Sequence, residues 1–142
     1  MGIRTIIFRG KRKDNGEWIE GYYASQSNHA CLTNELKHQH FILKDVCFDF
    51  NLGGLQEFEV APETVGQYIG FIDKNGKKIF EGDIVQAHFR TNHSKQIFRV
   101  TFDDGMFIFN NGYVKLPVRE IYGIKVIGNI HDNSELLKGS EG

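Results

Sequence analysis

Short strand-type runs, broken at close intervals by turn signals, constrain this chain more than any other feature. Asp14-Asn15-Gly16, Asp73-Lys74-Asn75-Gly76, Asp103-Asp104-Gly105 and Asn110-Asn111-Gly112 each bring Asn, Asp and Gly together. These residues reverse a chain because they bond their own backbone or tolerate positive φ. Between and around them lie alternating or aromatic-rich runs at 3–9, 18–24, 46–50, 58–61, 67–72, 78–80, 84–90, 96–102, 106–109, 112–116 and 121–130. Strands of this length and spacing predict a sandwich or barrel. The 12 Phe and 5 Tyr agree with that reading, because aromatic rings suit pleated surfaces. The runs 3–9 and 18–24 read as a hairpin, Pro62-Glu63-Thr64 as a single helical turn, and Asn133 as the cap of a last short helix through Leu137. Residues 25–45 are expected to be irregular, since Ser25-Gln26-Ser27-Asn28 is loop-like and 32–43 has no clean period. The expectation is a mainly-β protein with an N-terminal antiparallel β region over 1–61. A small C-terminal β-barrel region, SH3-like or similar, follows over 62–142, and the two together also read as one compact unit.

Composition removes several classes of function. A net charge of -1 gives the whole chain no strong pull on nucleic acid or anionic lipid. No apolar run approaches the ~20 residues that cross a bilayer, so no membrane role is expected. The two cysteines, Cys31 and Cys47, form no disulfide framework and read as reduced thiols in the cytoplasm. There is no Gly-x-Ser-x-Gly, no His-Glu-x-x-His and no phosphate loop, so neither an enzyme nor a cofactor is expected.

Two constellations stand out. Arg4, Arg9, Lys11, Arg12 and Lys13 put five cations in the first thirteen residues, near Phe8, Trp18, Tyr22 and Tyr23. Cations among aromatic rings on a β surface suit single-stranded nucleic acid. The same residues also read as protection of a sheet edge, with the rings as core. His29, Cys31, His38, His40 and Cys47 form the other group. His29-x-Cys31 and His38-x-His40 each place two ligand types on one face of a strand, and zinc accepts such ligands. The spacing matches no standard finger, and a polar surface loop explains it equally.

Three segments carry a resemblance. They are Ile3-Arg4-Thr5-Ile6-Ile7-Phe8-Arg9-Gly10-Lys11 with Asn15-Gly16-Glu17-Trp18, then Pro62 to Gly70 with Asp73 to Val85, and finally Val126 to Leu137. In this order they resemble the YopX family of phage and prophage proteins. The resemblance implies a phage or prophage origin and a bacterial cytoplasm, and it supplies no catalytic residue. Its motif positions Gly66, Tyr68, Gly70, Gly76, Gly82, Asp83, Gly128 and Asn129 read as scaffold, being turn glycines, core candidates and side chains that bond turns. The function expected is a non-enzymatic accessory module that binds a host or phage macromolecule and self-associates through open β edges. The alternatives are nucleic-acid binding through the basic hairpin, and a zinc-stabilised module or metal-dependent enzyme.

Overall fold

The computed structural model describes residues 2–29, 36–49 and 52–138. The chain divides into two compact units, Met1–Gln67 and Tyr68–Gly142. Two antiparallel sheets make up the described residues.

The first unit contains β1 (Phe8–Lys11), β2 (Trp18–His29), β3 (Leu36–Asp49) and β4 (Leu52–Glu59), then a single 3-10 turn at Pro62–Thr64. β4, β3, β2 and β1 lie side by side, and Gly66 and Gln67, the first residues of β5 (Gly66–Ile72), pair with Arg9 and Phe8 of β1. The segment expected to be irregular is strand on both sides of residues 30–35. Ser25 to His29 pair with Leu36 to His40. The partner strand, rather than apolar alternation, fixes this stretch. Ser25, Gln26 and Ser27 are exposed in succession and so leave no periodic signal in the sequence. β3 is the longest strand, and its two halves serve different neighbours. Residues 36–43 pair with β2 from Tyr22 to His29, whereas residues 41–49 pair with β4. Among the described residues β2, β3 and β4 lie abreast only around Phe41 to Leu43, and a two-stranded arm leaves this centre at each end. The core of the unit sits at the crossing. Ile19, Ile42 and Val60 are buried there, ringed by Phe8, Phe58 and Val65. Gly21 lets β3 approach, since a Cβ at this position would overlap the carbonyl oxygen of Leu43.

In the second unit β5 runs on and pairs with β6 (Lys78–Phe80). β7 (Asp83–Phe89), β8 (Lys95–Asp103), β9 (Met106–Asn110), β10 (Lys115–Leu116) and β11 (Ile121–Asn129) form a sheet in the order β10-β9-β8-β7-β11. A short helix, α1 (Glu135–Lys138), follows. Ile79, Val85, Ala87, Phe98, Val100, Phe109, Ile121 and Val126 pack into one core. This sheet is open, which corrects the expectation of a closed SH3-like barrel. Among the described residues β10 is only two residues long and pairs with β9 alone, and β11 pairs only with β7. No ladder joins the two edges, as closure requires.

Candidate functional site

The first unit brings two of the five cations, Arg9 and Lys11, to one ring. Arg9 and Lys11 alternate on β1 and so share a face, and Trp18 pairs opposite Lys11. The Arg9 guanidinium lies 4.6 Å from the Trp18 ring centroid and Lys11 Nζ lies 5.5 Å from it. Arg9 is buried. Cation–π contact of this kind stabilises by about 0.5–2 kcal/mol. Arg12 is engaged elsewhere. Its Nε and Nη2 donate to the two carboxylate oxygens of Asp14 at 3.0 and 2.6 Å, and its guanidinium covers Phe58. The hydrogen bond from Arg12 holds the exposed Asp14 carboxyl below its usual range. Lys13 pairs with Glu59 at 3.1 Å. Arg4 lies in the segment before β1. It lines an open cavity of about 610 Å³ with Ile3, Ile6, Phe8, Tyr22 and Tyr23.

Two of the candidate metal ligands meet. His38 and His40 project from one face of β3 with ring centroids 4.9 Å apart. Ser27 Oγ meets His38 Nδ1 at 2.7 Å, and the Tyr23 hydroxyl meets His40 Nδ1. Tyr23 also stacks on His40. His29 enters only through its backbone register with Leu36, and Cys47 through its register with Gly53. Cys31 lies outside the described residues. Among the described residues no three His, Cys, Asp or Glu side chains group as metal ligands do.

The motif positions bond turns and strand ends. Gly66 pairs with Arg9, and Tyr68 stacks obliquely on Phe80. Gly70 lies within the register shift between Tyr68 and Ile72. Gly76 and Gly82 have φ of 82° and 91°, a region costly for residues with a Cβ. Asp83, 1% exposed, accepts from the Phe80 N–H at 2.8 Å, closing the Glu81-Gly82 corner. Gly128 makes room for Asn133, whose Oδ1 accepts from the Asn129 N–H at 3.2 Å. Asn129 Oδ1 in turn accepts from the N–H groups of His131 and Asp132. The Asn133 backbone carbonyl, rather than its side chain, starts the last turn by accepting from Leu136.

Sequence reasoning passed over a second aromatic and cationic cluster. Tyr122 on β11 stacks on His88 of β7 with centroids 5.1 Å apart. Its hydroxyl meets His93 Nδ1 at 3.0 Å, and the Arg90 guanidinium lies 5.7 Å from its ring. His93 holds this position with φ of 60°. Arg90 Nε donates to the Arg119 carbonyl at 2.8 Å. No local pattern in the sequence announces this cluster, because Tyr122 and His88 meet only through the register of β11 on β7.

A family model described as "YopX protein" matches residues 7–138. Among solved structures, the crystal structure of protein EF1440 from Enterococcus faecalis is similar in fold, with a TM-score of 0.53 and 24% identity. The match covers 95% of this chain and 99% of that one. No curated protein matches. Among the described residues, no helix is long and apolar enough to cross a membrane.

Proposed function

With the chain established as a member of the YopX family through residues 7–138, we propose that it is a non-enzymatic phage or prophage accessory protein. In this reading it works in the bacterial cytoplasm and docks a host or phage protein on its first unit. One observation carries the reading. Ile3, Ile6, Tyr22 and Tyr23 are exposed together around the open cavity beside β1. Grouped apolar exposure marks an interaction surface, whereas scattered single residues do not. Strand pairing supports it. β1 pairs with β2 only as far as Gly21, so from Tyr22 onward β2 has a described strand neighbour on one side alone, β3. An extended segment of a partner would satisfy that edge by β-addition and seat its side chains among the tyrosines. The same edge suits a second copy of the chain, so self-association belongs to this proposal.

A tagged pull-down with nuclease treatment tests it. A stoichiometric protein partner that survives nuclease, and is lost with Ile6→Asp and Tyr22→Lys, is the expected result. Partners that vanish with nuclease, or that both variants retain, refute docking on this surface. Light scattering at micromolar concentration tests self-association, and a strict monomer refutes it.

A further inference from the structure

Residues directly opposite one another in an antiparallel pair share a face, which sorts the paired residues of the five-stranded sheet. One face carries the core, through Val85, Ala87, Phe98, Val100 and Phe109. Register places Tyr122, His88 and Lys95 in one row of the other face. Lys125, Gln86 and Ile97 form the next row, and Ile84, Arg99, Asn110 and Lys115 the third. Lys95, Arg99 and Lys125 are exposed, and no ion pair engages them among the described residues. Of the described strand residues that register assigns to this face, Asp103 is the single carboxylate, and Lys115 neutralises it at 2.8 Å. The exposed charged strand side chains of this face are therefore mainly cationic, although Ile84 and Ile108 on it are buried and α1, which carries Glu135, packs against β8 with Leu137 beside Ile97 and Arg99.

The arrangement of the cations selects among anions. They do not converge on one point, as a site for a single phosphate would require. Lys95 and Arg99 are four residues apart, about 13 Å along one strand, and Lys125 stands two strands away. Spread cations suit a chain of charges. Rings lie at both ends of the track. Tyr122 stacks on His88 at one end. At the other, Tyr113 is 82% exposed and borders a groove of about 430 Å³ together with Arg99 and Lys115. An exposed ring offers a stacking surface to unpaired bases, which a duplex keeps hidden.

We propose that this face of the second unit binds single-stranded nucleic acid. The phosphates run over Lys95, Arg99 and Lys125, and a base stacks on Tyr113. This site is distinct from the basic hairpin around Trp18 and from the protein-docking surface of the first unit. Fluorescence anisotropy of the full chain with a dye-labelled oligothymidine of about 15 nucleotides tests it. Three phosphate contacts predict a slope of log K against log salt of about −2. Combining Lys95→Gln, Arg99→Gln and Lys125→Gln should weaken binding at least about 10-fold, with the fold confirmed by circular dichroism. Tyr113→Ala should weaken it about 5-fold or more. Combining Arg12→Ala with Lys13→Ala should leave it unchanged. Oligouridine run in parallel separates RNA from DNA, and preferential binding of either names the ligand. Absence of binding at low salt, full binding by the triple variant, equal or tighter binding of a duplex, or loss through the Arg12 and Lys13 changes would each overturn the proposal.

Discussion

Asp73 shows how much a single carboxylate organises in the second unit. It is 5% exposed and accepts from three backbone N–H groups, of Asn75 at 2.8 Å, Lys77 at 2.9 Å and Val126 at 3.0 Å. Two of these close its own turn and the third fastens that turn to β11. Removing the side chain orphans all three donors, so Asp73→Ala should cost about 3 kcal/mol in urea unfolding. Asp73→Asn, which keeps one acceptor oxygen, should cost less. Burial raises the pKa of Asp73, but the three N–H donors and Lys77 outweigh it and hold the group below its ordinary range. A depressed folded pKa contributes stability that is complete above the unfolded value of about 3.9 and is lost as pH falls through the folded value. The stability gap between the parent and Asp73→Asn should therefore close as the pH is lowered below about 4, and a gap constant to about pH 2 would contradict the assignment. The local half of this site was legible in the sequence, because Asp-Lys-Asn-Gly announces a turn. The bond to Val126 was not, because it joins residues 53 apart in the chain.

At the scale of elements, the β2–β3 pair joins the least regular sequence to the most regular pairing. Gly21 is its root. Adding a methyl group there forces it into the Leu43 carbonyl, and Gly21→Ala should destabilise by about 2–3 kcal/mol, read as a lower urea midpoint. An unchanged midpoint would mean that β3 shifts freely, against the packing of Ile42 into the core. The two-residue spacing of His38 and His40 was legible as a shared strand face, and the structure brings their rings together. Their hydroxyl partners were not legible, because Ser27 and Tyr23 reach them only through cross-strand register. Residues 25–27 show the limit of periodicity. A ribbon exposed on both faces has no apolar alternation to read, so its order comes from the strand beside it.

At the scale of the whole molecule, two cores of unequal size serve two units. Among the described residues the first core has three buried residues and the second has eight. Amide exchange protection should accordingly be highest in β7, β8 and β9 and lowest in the β2–β3 arm over 24–29 and 36–40, and an arm as protected as β8 would contradict this ranking. Phe98→Ala, at a fully buried ring packed edge-on against Phe89 and Phe109, should cost about 3–5 kcal/mol by chemical denaturation. The mainly-β class was legible at this scale from turn spacing and aromatic content. Closure of the second sheet was misjudged, because whether two edges meet depends on strand partners that no local pattern encodes. Here the outermost partner, β10, is a two-residue strip.

The division of β3 between β2 and β4 also governs how the chain tolerates change in length. Each arm joins the rest of the sheet at its root, near Ile42, and among the described residues pairs only with itself beyond that point. Residues added in matched numbers at an arm's end extend its ladder and leave the register at the root untouched. An unmatched insertion next to Ile42 would slip that register and turn a core side chain toward water. Arm length is thus free to change while the crossing stays intact, so the reach of the first unit is adjustable where its packing is not.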